Sequence, residues 1–80
     1  ETVTLEMSVS LINVLIDRFG DSVHVNRVSD DKFTVKLDIQ VSPTFWGWLF
    51  QFGADARVTA PEWVVNEAKK KLSEISAMYD

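Results

Sequence analysis

The side chains of this sequence that could do chemistry are few and scattered. His24 is the only histidine, and it lies within an alternating segment typical of a strand. Nucleophilic catalysis needs a base beside a serine and a third group that orients the base, and no spacing here suggests such a set. Asp30 and Asp31 are adjacent in a turn-like segment, where aspartates usually serve the turn itself. We therefore predict no catalytic residue, no metal site and no cofactor, and we expect that the chain is not an enzyme.

Few features of the sequence could bind phosphate groups. The three glycines form no glycine-rich loop. The net charge of −4 argues against direct binding of DNA or RNA by these residues. The one basic run, residues 69–71, is flanked by Glu67 and Glu74, which is typical of a solvated helix face. We therefore expect that these residues do not bind nucleic acid directly.

Cysteine content and hydropathy limit the cellular locations that the sequence predicts for the chain. The absence of cysteine excludes disulfides and thiolate metal sites, and it fits a cytoplasmic location. No segment approaches the ~18 apolar residues of a membrane span, so we expect no membrane contact. The chain begins with Glu1 and has 80 residues, so we expect one small domain cut from a longer protein.

The aromatic run of residues 45–52 is the most unusual segment. Phe45, Trp48, Leu49 and Phe52 are spaced i, i+3, i+4 and i+7, which predicts the inward stripe of a helix. Within that stripe Trp48 is the largest side chain. We therefore expect Trp48 to anchor the core.

Trp46 and Phe50 fall to one side of that stripe. They are i and i+4 neighbours on the same helix. Two interpretations stand: the pair contacts another domain or protomer, or it packs inside the molecule beneath the last helix. We take Trp46 and Phe50 as candidate interface residues.

The periodicity of the whole chain predicts seven elements that position these residues. Alternating polar and apolar residues indicate strands, and stripes at helical spacing, capped by Ser10 and by Ser42-Pro43, indicate helices. The predicted segments are strands 2–9, 22–26, 33–41 and 55–60 and helices 11–19, 43–52 and 62–78. The last helix should bury some of its apolar residues, which are Trp63, Val64, Val65, Ala68, Leu72, Ile75 and Tyr79.

The order β-α-β-β-α-β predicts an α+β fold, a ferredoxin-like sandwich with an extra C-terminal helix. Its antiparallel sheet should have the strand order 4-1-3-2, with helices on one face. The other face should be polar, with Glu6 near Lys36 and Arg57. Arg57 also belongs to this predicted polar face. This face is either solvated or covered by the last helix, another domain or a ligand.

Residues 48–64 carry a resemblance to a known family. Phe52-Gly53 ends an aromatic helix, a short strand follows, and Pro61 opens a last helix that runs through residues 69–72 to Tyr79. This pattern resembles the C-terminal signature of bacterial transcriptional regulators that contain a WYL domain. The order of the preceding elements resembles the C-terminal extension of that family, often called WCX.

The resemblance implies a regulatory role. Members of the family bind DNA through an N-terminal winged helix-turn-helix and sense a ligand in a WYL domain, both absent from these residues. The extension helps the regulator to dimerise and contacts the WYL domain of the partner. In some members, basic residues of the extension are directed towards nucleic acid. By strand position, the resemblance makes Arg27 and Arg57 the candidate binding residues of the open sheet face, although the net charge of −4 opposes contact with nucleic acid. Residues 1–80 would then be one WCX-like domain, whose partners are a second protomer or that WYL domain. The alternative is a stand-alone domain that binds a small molecule on the open sheet face.

Overall fold

The computed structural model describes residues 1–20 and 23–80, and in these residues it is a mixed α/β domain with one antiparallel sheet and three α-helices. The elements are β1 Thr2–Ser8, α1 Ile12–Phe19, β2 Val25–Arg27, β3 Lys32–Asp38, α2 Pro43–Phe50, β4 Ala56–Ala60 and α3 Glu62–Ala77. The predicted order of elements is confirmed. The predicted start of the second strand at Ser22 lies outside the described residues.

The sheet has the order β2-β3-β1-β4, and every pair of neighbours is antiparallel. This agrees with the strand order predicted from the sequence. β1 is central, with Leu5 opposite Val35 of β3 and opposite Val58 of β4. Because side chains alternate across a strand, the register places these three residues on one face.

That face is the core of the domain. Val3, Leu5 and Met7 of β1 are completely buried, and they join one cluster with Leu15 of α1 and Leu49 of α2. The strict alternation of β1 therefore puts every second side chain into the interior, as the period of two predicts.

Helix α2 begins as predicted, whereas α1 does not. The Phe45 N–H donates to the Ser42 hydroxyl oxygen at 3.4 Å, with Pro43 as the first helical residue. Ser10 lies instead in a short 3₁₀ turn before α1, and its hydroxyl is 3.1 Å from that of Ser8. The prediction that Ser10 caps α1 is therefore wrong, because the turn comes between that residue and the helix.

The buried face of α2 differs from the predicted stripe. Phe45, Trp46 and Leu49 are buried, whereas Trp48 is half-buried, so the prediction that Trp48 anchors the core is wrong. The physical reason is that α3 lies beside the flank of α2 that carries Trp46, whereas the flank that carries Trp48 borders a cleft at the end of α1. On one flank, the Trp48 ring meets Phe19 at the end of α1 edge-on, with 5.3 Å between the ring centroids. On the other flank, Trp46 and residues of α3 line a common cleft.

Helix α3 is held by its first half alone. The Pro61 carbonyl accepts the Val64 and Val65 N–H groups, and the first turns bury Val64 and Ala68 within the core cluster. From Leu72 onward every residue is exposed. The expectation that α3 buries some of its apolar residues is therefore confirmed, and the buried ones all lie in its first half.

These positions predict unequal costs for removing the two tryptophans of α2. Trp46→Ala should lower the free energy of unfolding by about 3–5 kcal/mol, because it leaves a cavity among buried side chains. Trp48→Ala should cost clearly less, since that ring already meets solvent. Urea denaturation of both variants measures the difference, and a larger loss for Trp48→Ala would contradict the observed orientation of α2.

Candidate interaction surfaces

The open face of the sheet carries an ion pair that joins β1 to β4. The Arg57 Nε donates to Glu6 Oε1 at 3.2 Å, and the Thr59 hydroxyl donates to the Thr4 carbonyl at 3.3 Å. The predicted proximity of Glu6 and Arg57 is confirmed. Because 69% of the Arg57 side chain is exposed, solvent screens this pair and leaves part of the guanidinium available.

Arg27 does not lie on the open face. Arg27 is directly opposite Phe33, whose side chain is in the core, so the two side chains lie on the same side of the sheet. The guanidinium instead holds the hairpin turn, donating to the Ser29 carbonyl at 3.2 Å and to the Asp30 carbonyl at 3.0 Å. The placement of Arg27 on the open face is therefore wrong, because the register of β2 turns its side chain the other way.

Trp46 is an interior residue. Only 4% of it is exposed, and its ring stacks on Phe50 with 5.5 Å between centroids. It lines a cleft together with Trp63 and Glu67 of α3, which explains why the flank predicted to be open is covered. Internal packing, the second of the two interpretations, is therefore the one that the structure shows for Trp46. Phe50 is half-buried and stays at the border of the surface.

Several exposed apolar side chains lie at the C-terminal end of α3 and in the residues that follow it. We define the α3 apolar surface as Leu72, Ile75, Met78 and Tyr79, which are exposed by 50%, 45%, 78% and 85%. Leu72, Ile75 and Tyr79 continue the stripe of Val64 and Ala68 at intervals of three and four residues. The stripe is thus covered by the domain at one end of the helix and uncovered at the other. The spacing in the sequence predicted the apolar stripe, but it did not predict the residue at which the rest of the domain stops covering that stripe.

A cleft of about 250 Å³ lies between the end of α1 and the start of α2. Arg18, Phe19 and Trp48 line it on one side, and Ser42 and Thr44 on the other. The Arg18 guanidinium carbon is 5.9 Å from the centre of the Phe19 ring. This cleft combines an aromatic wall with one cation, but it is small beside a typical small-molecule site.

Within residues 1–20 and 23–80, no three His, Asp or Glu side chains converge in a way that could hold a metal ion. In that part of the chain, no helix has the length and apolar character needed to cross a membrane.

An antiparallel sheet with three helices on one face and a polar, open second face defines the class: a small α/β domain. The family model of the WCX domain matches residues 1–76, and the chain therefore belongs to the WCX domain family. This confirms the resemblance to the WCX domain found in the sequence. No curated protein and no solved structure matches the chain.

The geometry of the open face predicts that its ion pair adds little to stability. Arg57→Ala should lower the free energy of unfolding by less than about 1 kcal/mol, because an exposed pair is well screened. Chemical denaturation of this variant at low and high salt measures the effect. A loss above about 2 kcal/mol would show that Arg57 has a structural role beyond this pair.

Proposed function

We propose that this chain is the non-catalytic regulatory and dimerisation module of a bacterial transcriptional regulator of the WYL type. In the full-length protein it would couple ligand sensing in the WYL domain to DNA binding by the N-terminal domain, in the cytoplasm. Membership of the WCX family supports the assignment. The strand order and the helices on one face also fit the ferredoxin-like topology that we propose for the fold.

The observation that carries the proposal is the α3 apolar surface. Four large apolar side chains lie at the end of α3 and just after it, and each is exposed by 45% or more. Contiguous apolar surface of this kind marks contact sites on soluble proteins, and aromatic residues such as Tyr79 often anchor them. The proposed occupant is a second protomer or the WYL domain of the same regulator.

The hydrogen bonds of the polar side chains on the open face and in the hairpin support a module that has no catalytic role. Glu6 is paired with Arg57, and Arg27 is bonded to two carbonyl groups of its own turn. These side chains serve the sheet and the turn. Contact with DNA would belong to the N-terminal domain of the regulator.

A second candidate function is the binding of a small molecule on the open sheet face. One observation favours it: Arg57 and Lys36 are exposed, on a face that none of the helices in residues 1–20 and 23–80 covers. In this case the domain would act without self-association. The solution mass of the chain separates the two candidates.

The dimerisation proposal predicts that charge on the α3 apolar surface blocks self-association. Ile75→Glu combined with Met78→Glu should raise the dissociation constant by about tenfold or more, because two buried carboxylates would oppose the contact. Light scattering coupled to size-exclusion chromatography measures the mass across a concentration series.

The control carries the same change of charge on the opposite side of α3. Asn66→Glu combined with Ser73→Glu adds two carboxylates at exposed positions half a turn away, and the dimer should persist. A wild-type chain that stays monomeric up to about 1 mM would contradict dimerisation by this module. Equal weakening by both double variants would contradict the assignment of the surface.

A further inference from the structure

We propose that the free edge of β4 binds an extended peptide segment, which adds a fifth strand to the sheet and alternates apolar with acidic residues. The site is a groove of about 200 Å³ between β4 and α3, which we call the edge groove. Its lining includes Phe50 of α2, Val58 of β4 and Val65, Lys69 and Leu72 of α3. The edge groove shares Leu72 with the α3 apolar surface but otherwise consists of residues of α2, of β4 and of the first half of α3. The inference goes beyond dimerisation.

The hydrogen bonds at the ends of β1 establish which main-chain groups of that strand face β3. The Ile39 N–H donates to the Glu1 carbonyl, and the Val9 N–H donates to the Asp31 carbonyl, both at 2.9 Å. Successive residues of a strand direct their main-chain groups to alternate sides. The odd-numbered residues of β1 therefore bond towards β3, and the even-numbered residue Glu6 bonds towards β4.

The same alternation identifies the free groups of β4. Arg57 lies opposite Glu6, so the main-chain N–H and C=O of Arg57 point to β1. The main-chain groups of Ala56 then point away from the sheet, as do those of Val58, which forms the last regular pair before the register between β1 and β4 shifts. β4 is the last strand on its side of the sheet, and these groups face the edge groove.

The exposure of the two residues agrees with this geometry. Ala56 and Val58 are each 7% exposed although their side chains lie in the core, whereas Leu5 and Met7 of the central strand are 0% exposed. This slight exposure of Ala56 and Val58 is expected for an edge strand whose outer main-chain groups border a groove. Unpaired main-chain groups beside apolar side chains are costly, and an added strand satisfies them.

The lining of the edge groove selects the chemistry of the occupant. Side chains of an added strand that lie on the helix side would contact Phe50, Val65 and Leu72, which favours apolar residues. Side chains on the open face would lie beside the exposed guanidinium of Arg57, and Lys69 stands at the rim of the groove. Both cations favour acidic residues in the alternate positions.

Charge also argues against a second copy of β4 as the occupant. Symmetric pairing of two β4 strands would bring a second Arg57 and a second Lys69 to the same groove. Like charges then meet across the new contact, which opposes pairing. An acidic segment neutralises the same two cations.

The test is amide hydrogen exchange, measured by NMR while the chain is titrated with an end-blocked heptapeptide of alternating valine and glutamate. At saturation the Val58 and Ala56 amides should exchange about tenfold more slowly or better, whereas the Arg57 amide, already bonded to β1, should change little. An otherwise equal peptide of valine and lysine should bind more weakly. The absence of binding up to about 5 mM, or binding without slower exchange at Val58, would overturn the proposal.

Paired charge reversals on α3 locate the site. Lys69→Glu should raise the dissociation constant of the valine–glutamate peptide by about fivefold or more, whereas Lys70→Glu, outside the groove lining, should change it by less than about twofold. Circular dichroism checks that both variants fold. Equal effects of the two variants would show that the peptide responds only to net charge, and this would overturn the proposal. The proposal would also be overturned if exchange at Val58 slowed with rising protein concentration and not with added peptide. Self-association through α3 is measured separately by mass, so either proposal can fail without the other.

Discussion

The packing of the first half of α3 on the sheet and on α2 is the contact on which the rest of the structure depends. Val64 and Ala68 join the core cluster beside β4, and Trp46 lies in the cleft where α2 meets α3. This contact converts a tryptophan on the flank of α2 into an interior residue. It also determines which apolar residues of the last helix are left without cover.

Length is the physical reason that α3 is only half covered. A helix of 16 residues is about 24 Å long, whereas a strand of 5 residues spans about 17 Å. The helix therefore extends past the strand that holds it, and its apolar stripe extends with it. One element thus serves the core through Val64 and Ala68 and exposes the apolar residues Leu72 and Ile75 near its other end. Disruption of the first set should unfold the domain, whereas disruption of the second should affect only association.

The sequence was sufficient for the elements and the strand order, because the alternation in β1 and β3 and the Ser42-Pro43 cap are local signals. The face of α2 was not predictable from local signals, since aromatic residues lie all round that helix and its periodicity does not choose between Trp46 and Trp48. The choice is made by α3, which is remote in sequence. Arg27 was misplaced for a different reason: it lies just past the predicted strand 22–26, whose alternation, continued by one residue, puts Arg27 on the same side as Val25.

The central claim is that α3 is held at one end and free at the other, and residue-by-residue amide exchange along the helix in dilute solution tests it most directly. Amides of residues 64–70 should exchange slowly, because opening them requires loss of the core contact, and those of residues 73–79 should exchange quickly. As the protein concentration rises, the second group should slow while the first stays unchanged. Uniformly slow exchange along the whole of α3 in dilute solution would contradict the account.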